Sequence, residues 1–445
     1  MMEHTGSAYP SRRRGWFMVG VFFLISIVSV LDRGVLALFV DQVKHDLIIT
    51  DVQIGLLQGL VFSLFYSLMG LPMGMFADRG NRRNLIMGAV ALWSAATIAG
   101  AFAQSFFALC AARVLVGIGE AMLSPAVFSM ISDMFPPQAR ARPISVFIMG
   151  QALASGLAIT IIGLLQHMLT SGHVVGLPLA LQAAPWRAVF AACGALGFLV
   201  LPVILMLREP RRRMEAGALD LKAIAPREAF SILWRGRGGF LPLYLGFAVT
   251  SCAAYGAGAW MPAMLQRSFG LSGTALSSRL GVTYMIFGIA GALTGGQIAD
   301  LIARRGIKGG KMLLAALACW LALPAAFSGF APGGMQAILM SAMLIFCYPM
   351  IGVCVTSTAT ELAPRMRGTS IAMFGLCNGL IGAPLGPYFM ALLTDHLFGD
   401  PHRLYQSIAF VGGVSLIAGS AIFVLAWFTI SRRVMVSDFA AALVQ

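Results

Sequence analysis

Twelve apolar stretches, each about 18 residues or longer, follow one another along this 445-residue chain. So many runs long enough to cross a hydrocarbon layer of ~30 Å leave few folds open. Their approximate limits are 16–40, 52–76, 84–104, 107–134, 143–168, 187–207, 240–266, 275–302, 312–330, 333–361, 369–394 and 405–430. In lipid every backbone N–H and C=O needs a partner within the protein, so stretches of this length and uniform apolarity cross as α-helices rather than barrel strands. Charged residues make up only 11% of the chain, against about 25% in soluble domains. The expected class is an all-α polytopic membrane protein with twelve transmembrane helices.

The net charge of +14 could point to nucleic acid, but its placement does not. With the N-terminus inside, 24 of the 31 Lys and Arg residues fall on the inner side, among them Arg12, Arg13, Arg14, Arg432 and Arg433. That bias is the positive-inside signal of an integral membrane protein, and it places both termini in the cytoplasm. No nucleic-acid partner is expected; the partners are the lipid bilayer and a small molecule, and the chain is taken as a monomer. The first run carries Asp32-Arg33 and has no clear small-residue cleavage site, so it reads as a retained span. The seven cysteines are scattered through apolar runs without a CxxC, which gives neither a disulfide framework nor a metal site.

The longest polar stretch, 208–239, divides six spans from six. It separates an N-terminal bundle (1–207) from a C-terminal bundle (240–445), and Leu219–Leu233 within it is compatible with a short amphipathic helix at the inner surface. The halves repeat. Gly74-Met-Phe-Ala-Asp78-Arg79-Gly-Asn-Arg82-Arg83 follows span 2, and Gly296-Gln-Ile-Ala-Asp300-Leu-Ile-Ala-Arg304-Arg305 follows span 8. Asp133-Met-Phe-Pro136 with Arg140 and Arg142 follows span 4, and Glu361-Leu-Ala-Pro364-Arg365-Met-Arg367 follows span 10. Two elements recurring in order at nearly one offset indicate duplication, the sequence mark of many transporter folds.

Four ionisable groups stand where lipid should be: Asp32 and Arg33 in span 1, Arg113 and Glu120 in span 4. A charge at a helix centre costs roughly 2.5–3.5 kcal/mol even on lenient scales, so such groups face a protein interior or a watery cavity and mark a functional site. Arg113 and Glu120 are seven residues apart and share one helix face. Burial and a neighbouring Arg pull a carboxyl's proton affinity in opposite directions, so moving the Arg between two states moves that affinity. A static structural ion pair would leave the same trace. Spans 7–12 hold no central charge and offer Tyr255, Trp260, Tyr284 and Asn378 among many apolar residues. A cavity charged on one wall and apolar on the other suits an amphiphile with a polar or anionic head.

These residues resemble the major facilitator superfamily, two pseudo-symmetric six-helix bundles, over nearly the whole chain. Within it, several pieces are similar to the Spinster group of lipid and lysolipid transporters. They are Leu31-Asp32-Arg33, Gly55-Leu-Leu-Gln58, Asp78-Arg79-Gly-Asn81-Arg82-Arg83, Arg113-Val-Leu-Val-Gly117-Ile-Gly119-Glu120-Ala121, and Gln138-Ala-Arg140-Ala-Arg142. The group's usual aromatic after Asp-Arg is Gly80 here, and the glycine-proline antiporter signature of drug exporters is absent from 150–163. In this fold spans 1 and 4 line the central cavity, so the four charged groups can meet there. The resemblance implies a cytoplasmic latch in which Asp78 pairs with Arg140 or Arg142 and breaks as the cavity opens inward. Gly74, Arg79, Arg82, Arg83 and Asp133 complete that gate, and Asp300, Arg304, Arg305, Glu361 and Arg367 form its second-half copy.

No phosphate loop, metal spacing or nucleophile elbow appears, so neither ATP-driven pumping nor covalent catalysis is expected, and no cofactor beyond a proton gradient as energy source. The leading expectation is a proton-coupled secondary transporter. Asp32 and Glu120 carry the proton, and Arg33, Arg113, Tyr255, Trp260 and Asn378 hold an amphipathic, lipid-like or organic anionic substrate. A symporter of small organic anions in the same superfamily is the alternative, and a polytopic membrane enzyme or non-transporting receptor the alternative of another class.

Overall fold

The computed structural model describes residues 9–136, 139–170, 181, 184–212, 237–307, 309–362 and 367–442. Leu219–Leu233 lies outside them. Every secondary-structure element among the described residues is helical, without a strand. Eleven helical segments are long and apolar enough to cross a membrane, and span 5, Ala141–Thr170, carries a shorter apolar stretch over Gly156–Met168. The twelve crossings form the two six-helix bundles of the expected architecture.

Span boundaries shift by a few residues from the apolar limits. Span 1 is Arg12–Leu38, and it is followed by an unforeseen short helix, Val40–Leu47. Span 2 is two helices, Asp51–Gln58 and Leu60–Arg79, broken at Gly59. Thr50 starts it with a capping box: its hydroxyl accepts from Gln53 N, and Gln53 Oε1 accepts from Thr50 N. Span 4 is Phe106–Ala121 and Leu123–Met134, joined at Met122.

Span 11 departs most from a regular helix. Arg367–Cys377 gives way to a π-helical turn at Asn378–Gly382, then to Ala383–Leu392, then to a second π segment at Leu393–Phe398. The run Gly379, Gly382, Pro384, Gly386, Pro387 explains the first of these π turns. Each proline removes an N–H from the ladder, and the glycines tolerate the altered winding. The same small residues let backbones meet. A Cβ on Gly386 would lie 2.2 Å from the Cys252 carbonyl oxygen of span 7, and one on Gly59 2.7 Å from the Pro384 carbonyl oxygen.

The halves touch along two seams. Span 2 meets span 11 at Gly55, Gly59 and Gly379, and span 5 meets span 8, where a Cβ on Gly156 would lie 2.4 Å from the Gly281 carbonyl oxygen. Because consecutive crossings alternate in direction, the start of span 1, the end of span 6, the start of span 7 and the end of span 12 fall on one face, called here the terminal face. The loops at 39–50 and 399–403 mark the opposite face.

Candidate functional site: a charged cavity between the halves

Arg33 lies in the last two turns of span 1, and Glu120 closes the first helix of span 4. The two form an ion pair. Glu120's side chain is 3% exposed and Arg33's 36%, so the pair sits at the edge of a space with the carboxylate inside. A buried carboxylate needs such a partner, because desolvation otherwise outweighs any packing gain. Arg113, two turns along the face from Glu120, is also buried.

An aromatic floor supports both cations. The Arg33 guanidinium stands 4.2 Å and that of Arg113 5.2 Å from the centroid of Phe62, and Tyr66 stacks on Phe62 at 5.7 Å. Desolvated cation–π contacts are worth about 2 kcal/mol or more, so span 2 contributes to holding two like charges near each other. Gly117 sets the approach: a Cβ there would lie 2.8 Å from the Phe62 carbonyl oxygen. Gly117→Ala is therefore expected to push span 2 away and displace Phe62. Overpacking of this kind costs about 1–3 kcal/mol, to be read as a lowered melting temperature with weakened ligand binding. Wild-type values for both would mean that the helices separate here without consequence.

Between the halves lies a cavity of about 180 Å³. Arg33, Gln58 and Arg113 face it from the first half and Tyr255 from the second; the rest of its wall is Val, Ala, Gly and Pro. Tyr255 Oη accepts a hydrogen bond of 3.4 Å from Asn378 Nδ2 and meets Tyr348 edge-on. Asn378 opens the π-helical turn of span 11, so the irregular backbone and the polar second-half group coincide. Gln58 Nε2 and Asn378 Oδ1 are buried atoms with no hydrogen-bond partner. Gln58 lines the cavity, so a molecule bound there could satisfy its amide.

The structure thus brings Arg33, Arg113, Glu120, Tyr255 and Asn378 into one region. Asp32's side chain lies outside the described residues. Trp260 must be corrected: it is fully buried, its indole N–H donates to the Pro387 carbonyl at 2.9 Å, and it does not line the cavity. Tyr284 is likewise buried and donates to Ser341. Phe62, Tyr66 and Gln58 were not singled out for the site; Gln58, a polar residue in an apolar run, carried a usable signal.

On the terminal face Arg82 is the organising residue. Buried at the start of span 3, it pairs with Asp133 and with Glu209 (2.7 Å) and donates to Ser129 and the Pro210 carbonyl. Glu209 also accepts from the Arg83 backbone N–H. Arg140 donates to the carbonyls of Ser132 and Phe135 at the end of span 4. The side chains of Asp78 and Arg367 lie outside the described residues. Arg79, Arg142, Asp300, Arg304 and Arg305 are exposed, and a Cβ on Gly74 would meet nothing within 4 Å. Gly74 is thus not a site of close approach. Glu361 pairs with Lys311 within the second half.

The opposite face carries ties across the halves that sequence reasoning missed. Arg267, at the end of span 7, pairs with Asp41 (2.6 Å) and with Asp51 (2.9 Å). Asp51 is fully buried and also pairs with Lys44. Gln266 donates to the Leu38 carbonyl, and Asp395 accepts from the Val52 N–H. These contacts close the cavity toward the opposite face.

A two-bundle helical fold with a charged cavity on its midline defines a membrane transporter. Residues 22–387 match the model of the Major Facilitator Superfamily, and the chain belongs to that family. Within it the chain is Spinster-like. It is similar to the bacterial homolog of the human lysosomal transporter Spinster in its inward-facing, unoccupied conformation, with 27% identity, a TM-score of 0.78, and coverage of 95% of this chain and 97% of that one. It is 27% identical to Protein spinster homolog 1 of Homo sapiens, over 92% of this chain and 81% of the relative. An MFS-type efflux pump of Mycolicibacterium smegmatis is 28% identical over 87% of this chain and 86% of the relative, and the D-galactonate transporter of Escherichia coli 26% identical over 93% and 97%. The chain is accordingly an integral membrane transporter and not an enzyme, and its superfamily requires no cofactor.

Proposed function

We propose that the protein is a proton-coupled secondary active transporter of an amphipathic, lipid-like or organic anionic substrate, working by alternating access. The observation that carries this reading is the Arg33–Glu120 pair at the edge of the cavity. A proton on Glu120 and an anion on Arg33 act on the same ion pair: protonation releases the guanidinium, and an anionic head on the guanidinium displaces the carboxylate. The two events are therefore linked, and Asp32 is proposed as a second proton site one residue away. Arg113 supplies a second cation on the same wall of the cavity. The apolar part of the wall and Tyr255 receive the remainder of the substrate.

In this reading both termini are cytoplasmic, which the Lys and Arg bias supports, and the ties of Arg267 then close the outer side. Asp78 is proposed to latch the inner side in the opposite state through Arg140 or Arg142, with the gate residues of both halves around it. The similarity to the D-galactonate transporter favours a second reading, symport of a small polyhydroxy acid, which would use Gln58 and Asn378 for hydroxyl groups.

A thermal-shift panel on purified protein separates the two readings. Stabilisation by lysophospholipids but not by aldonates supports the first, and the converse supports the second. Arg113→Lys keeps charge but loses the planar donor fork and is expected to weaken whichever ligand binds. Arg113→Ala binding as tightly as wild type would remove Arg113 from the head-group site.

A further inference from the structure

A second cavity, of about 370 Å³, lies at the terminal face and shares no residue with the first. It is bounded by Tyr9 and the start of span 1 (Arg12, Trp16), the end of span 4 with the residue that follows it (Met134, Phe135) and the start of span 5 (Arg142). Trp16 meets Phe135 edge-on at 5.9 Å, and Gly15 allows that ring to approach, since a Cβ there would lie 2.9 Å from it. The pocket therefore has an aromatic wall and two cations at its rim, at the depth where apolar spans begin. Trp and Tyr favour this interfacial depth.

The charges are unbalanced. Arg12, Arg13 and Arg14 occupy the first turn of span 1 with no acid among them, and Arg142 stands in the first turn of span 5, again without an acid. Cations at the positive end of a helix dipole are mildly disfavoured. Neither Arg12 nor Arg142 forms an ion pair among the described residues, whereas the neighbouring Arg82 and Arg140 are occupied in the ways given above. An anion supplied from outside would meet both.

We propose that this pocket is a binding site for the phosphate head of an anionic phospholipid of the surrounding bilayer. Arg12 and Arg142 take the phosphate, and Trp16, Phe135 and Tyr9 flank the glycerol and upper acyl carbons. Basic pockets between transmembrane helices at the interface are suited to such heads. The site is separate from the transport cavity and does not depend on which substrate is carried.

The test uses the full chain in nanodiscs, with native mass spectrometry counting retained lipid as phosphatidylglycerol is titrated against phosphatidylcholine. Wild type is expected to retain one phosphatidylglycerol preferentially. Arg12→Gln with Arg142→Gln should weaken that binding roughly thirtyfold, from about 1 kcal/mol per interfacial cation. Arg13→Gln, which changes the same helix turn outside the pocket, should leave it within about twofold. Equal loss in the Arg13 control would reduce the effect to diffuse surface charge and overturn the proposal, as would wild-type retention in the double variant. Millimolar inorganic phosphate displacing the lipid completely would assign the site to free phosphate instead and overturn the lipid assignment. Should the double variant fail to insert, Trp16→Ala keeps every charge. It is expected to lose the same preference severalfold, and an unchanged preference there rejects the pocket.

Discussion

Glu120→Gln is expected to abolish accumulation of substrate against its gradient while leaving the protein folded and able to exchange substrate across the membrane. Gln matches Glu in size and still offers Arg33 an oxygen, but it carries no charge and takes up no proton. Stranding a fully buried partner typically costs about 3–5 kcal/mol. The partner here is Arg33, whose side chain is 36% exposed and rests on Phe62, so the stability loss should fall well below that range. The effect on coupling should be large. A gradient of one pH unit is worth about 1.4 kcal/mol per proton, enough to hold roughly a tenfold concentration ratio at one proton per substrate. In proteoliposomes with that gradient imposed, wild type should approach such a ratio and the variant should stay near unity. Counterflow, which needs no net proton movement, should persist. Accumulation at the wild-type ratio in the variant would move coupling away from Glu120, with Asp32 the next residue to test.

The twelve crossings were legible because lipid leaves a long apolar run only one backbone solution. Arg33, Arg113 and Glu120 were legible for the converse reason: a charge in such a run is costly and stands out. Phe62 and Tyr66 were not, because an aromatic in an apolar span has no contrast with its neighbours; the chain has 30 Phe, and only the tertiary approach permitted by Gly117 distinguishes this one. Trp260 misled in the same way. A polar-tipped aromatic in span 7 can face a cavity or spend its N–H on a carbonyl, and Pro387 supplied the carbonyl. Arg267 had no signal in the sequence, since its partners Asp41 and Asp51 lie more than 200 positions away and meet it only when the two halves close.

The site and the ties of Arg267 are mechanically connected through span 1. Its Val30, Arg33, Gly34 and Ala37 line the cavity, and the short helix that follows it carries Asp41 into the cross-half cluster. A ligand that moves span 1 at Arg33 therefore acts on the closure about two turns away. For the alternating access proposed above, span 1 is thus the candidate two-state element, biased at one end by charge in the cavity and at the other by ion pairs on the opposite face.

Removing that second bias should shift the resting conformation strongly. Arg267→Gln deletes both cross-half ion pairs at once, leaving buried Asp51 with Lys44 alone and Asp41 exposed to solvent. Lys44 belongs to the same half as Asp51, so the remaining pair no longer ties the halves together. Coupling of this kind is typically worth about 1–3 kcal/mol, or a ~5- to 150-fold change in a two-state ratio. The buried, bidentate geometry at Asp51 places this case toward the upper end, since both carboxylate oxygens are engaged. Spin labels at His45 and Arg403, exposed residues on the two halves at the opposite face, would report the separation by pulsed electron resonance; neither side chain belongs to the Arg267–Asp51–Lys44 cluster. Wild type should give a single short distance, and Arg267→Gln should add a longer population. Asp51→Asn should act in the same direction through one of the two pairs, and adding it to Arg267→Gln should change little further, because the Arg267–Asp51 pair is already lost there. An unchanged distance distribution in both variants would mean that span 2 against span 11 and span 5 against span 8 hold the face closed by packing alone.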